Sequence, residues 1–117
     1  MLFRSYLLFW LLLERMIGAI VQFRGLVEHH GLWQGRSSHL LTQLYASRTV
    51  NAGGWLNGLM GGLPNHSAHH AFPWIPSARL PLASRRIAAV LERHGAAAVP
   101  TVEGYGQALL ALRHSCR

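Results

Sequence analysis

Apolar side chains fill positions 2–23 almost without interruption, and polar, glycine-rich sequence follows. Leu7 to Leu13 form one block and Met16 to Val21 a second, separated only by Glu14 and Arg15. At about 1.5 Å of helix rise per residue, such a stretch can cross a hydrocarbon layer of ~30 Å. Charges at that depth are costly unless they face protein, pair, or reach the interface. A helix lying in the membrane plane is the alternative. Arg4 ahead of an apolar run also has the outline of a signal peptide, but no small-x-small cleavage site follows it.

Beyond Gln22 the pattern predicts shorter elements. Gly31 suits the C-cap of the first helix. Residues 34–49 read as a surface connection with a short helix near 38–46. Gly53-Gly54 and Gly61-Gly62 bracket the apolar stretch Trp55 to Met60, which reads either as close helix packing or as a flexible loop. Pro64 fits the first turn of a helix that Pro73 and Pro76 end. Pro81 opens another helix to about His94, with Ile87, Val90 and Leu91 as its apolar stripe and Gly95 as its stop. Residues 96–100 form a linker before a last helix over 103–115. The architecture expected is all-α: an N-terminal transmembrane helix followed by short cytosolic helices around a group of histidines.

Composition narrows the class. The chain has 117 residues, enough for one domain, and only 13% are charged, below the usual quarter for soluble domains. Every basic residue among the 11 is arginine, and they run from Arg4 to Arg117 without forming a block. Nucleic-acid binders gather charge on one face, so no nucleic-acid partner is expected. Scattered arginines suit anionic headgroups or an acidic redox partner. Cys116 is the single cysteine, which excludes an internal disulfide.

The chemistry lies in residues 65–76, Asn-His-Ser-Ala-His-His-Ala-Phe-Pro-Trp-Ile-Pro. Positions i, i+3 and i+4 of a helix share a face, so His66, His69 and His70 can point at one spot. Imidazole is a good ligand for iron, zinc and copper, and three buried imidazoles without a metal are hard to satisfy. The competing reading is a solvated histidine-rich loop. His39, His94 and His114 have no motif around them and read as surface residues.

His69 to Pro81, His-His-x-Phe-Pro-x-Ile-Pro-x-x-x-Leu-Pro, resembles the third histidine box of the membrane-bound fatty acid desaturases and their sphingolipid-desaturase relatives. Arg24-Gly-Leu-Val-Glu28-His29 resembles the R-x-x-x-E-H stretch ahead of that box, and Arg48-Thr49 sits where many bacterial members carry an Arg-Thr pair. The resemblance spans roughly residues 20–95. It implies a di-iron (Fe2+) site with His66, His69, His70 and His29 as ligands; His30, adjacent, is the alternative to His29. Glu28 would orient a ligating imidazole from outside the coordination shell, or stand as an exposed carboxylate at a helix end. Phe72, Trp74 and Ile75 would line an acyl tunnel or simply pack.

Family members draw their ligands from H-x-x-x-H, H-x-x-H-H and H-x-x-H-H boxes plus one further histidine. Only the last box and the further histidine are found here. The resemblance therefore implies that residues 1–117 are the C-terminal part of a desaturase domain, with 2–23 a membrane helix and 24–117 the cytosolic histidine-box and C-terminal helices. The full protein would be multi-pass, with the box on the cytoplasmic side. The implied function is O2-dependent insertion of a double bond into a lipid acyl chain, with electrons from a ferredoxin or a b-type cytochrome. The chain alone would be inactive, because the missing N-terminal part carries the first two boxes and leaves the di-iron site incomplete. Two alternatives stand beside this: a lipid or carotenoid hydroxylase or ketolase of the same superfamily, and a non-enzymatic small basic membrane protein.

Overall fold

A computed structural model describes residues 1–116. The fold is mainly α-helical, the class that the sequence pattern predicts, with six helices among the described residues: α1 Leu2–His29, α2 His39–Tyr45, α3 Gly53–Leu59, α4 His66–Ala71, α5 Leu80–Arg93 and α6 Gly104–Ser115. A single 3₁₀ turn, Ser77–Arg79, leads into α5. Two short strands, β1 Thr49–Val50 and β2 Thr101–Val102, pair in parallel and were not foreseen.

Helix α1 continues past the apolar stretch to His29 and stops where Gly31 turns left-handed at φ 74°, a conformation that costs glycine nothing. Its apolar stretch is long enough to cross a membrane and is buried against nothing in the chain. Glu14 and Arg15 are both exposed there, and neither makes an ion pair among the described residues. So much uncovered Leu, Phe and Trp surface is unfavourable in water at about 25 cal/mol per Å2. The chain is accordingly expected to stay with membranes through high-salt and carbonate washes; soluble, monodisperse chain recovered without detergent would contradict this.

The remaining elements make a small core. Leu44 and Tyr45 of α2, Ala71 of α4 and Leu91 of α5 are buried together, flanked by Leu41, Phe72, Ile87 and Val99. Ser38 caps α2, its hydroxyl accepting the Leu41 amide proton at 3.2 Å. The Tyr45 hydroxyl donates to the Ala97 carbonyl, which holds the 96–100 linker against the core. Pro64 does not open α4: Asn65 is the cap, and the Pro64 carbonyl instead accepts the Val50 amide. Pro81, by contrast, does sit in the first turn of α5. The segment between the glycine pairs is helical and leaves Trp55 and Leu59 exposed.

Residues 48–51 tie the fold together. Their four successive backbone amides donate to four carbonyls on three separate segments. Arg48 reaches Glu28 at the end of α1 (2.7 Å), and Thr49 reaches Pro100 (2.8 Å). Val50 reaches Pro64 just ahead of α4 (2.9 Å), and Asn51 reaches Val102 (2.8 Å). The end of α1 and the start of α4 are thereby fixed against a common strand. That arrangement brings the histidines of both helices to one place.

Candidate metal centre

Helix α4 turns its small residues inward. Ser67, Ala68 and Ala71 are buried, and the Ser67 hydroxyl donates to the Ser47 carbonyl at 2.9 Å. With that face committed, His66 and His70 point toward the end of α1. There His29 Nδ1–H donates to the Ala46 carbonyl at 3.1 Å, which leaves Nε2 as the free lone pair. His66 Nε2 lies 2.9 Å from His29 Nε2 and 3.0 Å from His70 Nε2. All three candidate ligand atoms fall within 4.8 Å of one another.

His69 stands apart from this group, with its ring centroid 6.3 Å from that of His66 and 5.9 Å from that of His70. On a helix, residues i+3 and i+4 flank residue i on opposite sides. His29 approaches from the His70 side, with 4.9 Å between ring centroids, so spacing alone did not decide which of the two would converge with His66. His30 is also outside the cluster, with Nε2 3.9 Å from the Cys116 sulfur. His39 contacts Gln43, and His94 Nδ1–H donates to the Val90 carbonyl; both are exposed.

Glu28 is 1% exposed, which removes the reading of a solvated carboxylate. Its Oε1 accepts from Arg24 Nη2 at 3.0 Å, from Arg24 Nε at 3.2 Å and from the Tyr105 hydroxyl at 3.0 Å. Its Oε2 accepts one longer contact from Arg24 (3.3 Å) and lies 3.5 Å from His66 Nε2. Tyr105, on α6, is the residue that sequence reasoning missed. Its partner is 77 positions away and no local motif surrounds it.

Burial, followed by the neighbouring His70 and His29, pushes the His66 pKa down to about 3, and burial with His29 and His69 lowers that of His70. Both imidazoles are therefore neutral at pH 7, the form that binds metal. The donor set fits a cation better than it fits protons. A single proton on His66 Nε2 can be directed at His29 or at His70 but not at both. His66 Nδ1 is buried without a partner. One cation at the point of convergence would receive all three Nε2 lone pairs at once.

Phe72 packs edge-on against Trp74, with centroids 5.7 Å apart. With Ile75, Leu82 and Ile87 they line an apolar groove of about 360 Å3, and no histidine of the cluster is part of its wall.

A family model described as fatty acid desaturase matches residues 1–101. No curated protein and no solved structure matches the chain.

Proposed function

The chain belongs to the fatty acid desaturase family, and from that premise we propose that it supplies the histidine-box end of a membrane-bound di-iron oxidoreductase acting on lipid acyl chains. The convergence of His29, His66 and His70 at 2.9 and 3.0 Å carries this reading. These three would hold one ion, and His69, turned to the other side of His66, would serve the second. The remaining ligands come from H-x-x-x-H and H-x-x-H-H histidines outside this chain. Membership also implies a membrane setting, and the proposal puts the box on the cytoplasmic side of a multi-pass protein.

When bound, the two irons supply the reduction of O2 that makes an unactivated carbon chain reactive. In the balance, O2, two electrons and two protons take two hydrogens from adjacent methylenes, giving one double bond and two waters. A ferredoxin or a b-type cytochrome delivers the electrons. The chain's own part is geometric. The Ala46 carbonyl fixes the His29 tautomer and ring plane. The Ser67–Ser47 bond fixes the roll of α4 and so the direction of His66 and His70.

The test compares the purified chain with the same chain joined to a segment bearing the two other boxes, each given reductant, O2 and acyl lipid. The chain alone is expected to leave the lipid unchanged, and the joined form to yield an olefin by mass spectrometry. Turnover by the chain alone would refute the ligand count. A hydroxylated product from the joined form would move the reading to the hydroxylase branch.

A further inference from the structure

We propose that the outward face of α5, with the apolar groove beside it, is a binding surface for anionic phospholipid: Arg79 and Arg86 take headgroup phosphates, while Trp74 and Leu82 enter the acyl layer. Arg79 stands just ahead of α5, and Arg86 and Arg93 follow at seven-residue intervals. Residues seven apart fall on one side of a helix, about 10 Å along its axis. Leu82 and Val90, between the arginines on that side, are apolar and exposed. Glu92, the single acidic residue of the helix, lies roughly 100–140° around it from the three arginines. The ion pairs among the described residues all involve Glu28, so no carboxylate neutralises this row.

The groove supplies the apolar half. Residues 72–76 and the α5 side chains Leu82, Ala83 and Ile87 bound about 360 Å3, and Arg79 and Arg86 belong to the same lining, which includes no acidic side chain. Trp74 is held edge-on against Phe72 and yet remains 73% exposed. An indole beside unpaired guanidiniums has the makeup of a membrane–water interface, where aromatic rings sit at headgroup level and arginines meet anionic lipid. Uncovered apolar surface of this kind marks a binding face, and the arginines select an anionic occupant. The membrane is at hand, since α1 is long and apolar enough to cross it. The site is separate from the metal centre: a carbon to be oxidised must reach the histidines, and none of the cluster lines the groove.

The test uses the full chain, metal-free, in lipid nanodiscs, so its outcome does not depend on the metal centre. Trp10→Phe, Trp33→Phe and Trp55→Phe leave Trp74 as the sole indole. Lipids brominated along the acyl chain quench a tryptophan that they touch. Every disc holds equal parts of phosphatidylglycerol and phosphatidylcholine, and only the brominated species changes. Random mixing gives equal quenching by the two. Selective binding predicts stronger quenching by the phosphatidylglycerol, enriched at Trp74 by about fivefold for each arginine engaged, and a difference that shrinks in high salt. Arg79→Gln combined with Arg86→Gln is expected to bring the two lipids to equality without loss of helix, since glutamine and arginine are similar helix formers. Equal quenching in the parent would show a face that rests on any lipid, and quenching by neither would show a groove covered by protein or left in water. Either result overturns the proposal. The parent comparison decides the matter even if the double variant does not fold.

Discussion

His66→Ala should strip the chain of metal binding outright. His66 Nε2 is the one nitrogen that touches both other converging histidines and the Glu28 carboxylate, so its loss removes the atom around which the donors gather. The expected measurement is metal content after anaerobic Fe2+ or Zn2+ loading and desalting: near zero for His66→Ala, against full loading for His94→Ala and His114→Ala. Folding gives the contrast. Alanine is the best helix former, and the exchange deletes a buried, unpartnered Nδ1, so the metal-free variant is expected to melt no lower than the metal-free parent. His66→Ala that keeps its metal would overturn the assignment.

Gly62→Ala should be the most damaging substitution for the fold itself. Gly62 has φ +76°, and a Cβ there would lie 2.4 Å from the Ser77 carbonyl oxygen and 3.2 Å from its carbon. The left-handed backbone costs an L-residue about 1–2 kcal/mol, and the clash is with backbone, which cannot swing away. A loss on the order of 2–4 kcal/mol follows. Gly61, at φ +60° with nothing within 4 Å, is the control; Gly61→Ala should lose only the backbone part, about 1–2 kcal/mol. Thermal midpoints of the two variants in detergent make the comparison, and equal shifts would show that the Ser77 contact is unimportant. Because the Gly62 carbonyl accepts the Asn65 amide at the start of α4, the damaged variant should also bind metal more weakly.

Side-chain periodicity made much of this legible. Helical spacing pointed to α4, and Pro81 and Gly95 marked the ends of α5 to within a residue. The extent of apolar sequence marked α1. His29 could be singled out only through its resemblance to a known motif, since nothing local separates it from His30. What distinguishes the two is the Ala46 carbonyl, a backbone group with no residue signature. The β1–β2 pairing was invisible for the same reason: two Thr-Val dipeptides far apart in sequence are joined through main-chain atoms. Tyr105 was hidden because its hydroxyl serves a carboxylate brought near only by the tertiary fold. The divergence of His69 depends on the side from which α1 arrives, which spacing within α4 does not encode.

The amide clasp at residues 48–51 also sets an order of events. Two of its four acceptors, Pro100 and Val102, are close to the C-terminal end of the chain, and closing so long a loop is slow compared with forming local helix. While the protein is being synthesised, the six residues of α4 leave the ribosome before the last two acceptors exist, and so short a helix is not stable on its own. The contacts to Glu28 and Pro64 can form earlier, but the clasp that fixes the ligands in register is complete only after residue 102 has emerged. A metal held by these histidines would therefore be bound more firmly by the finished chain than by the nascent one, and a ribosome-stalled chain ending before residue 100 should carry the histidine box and yet bind metal more weakly.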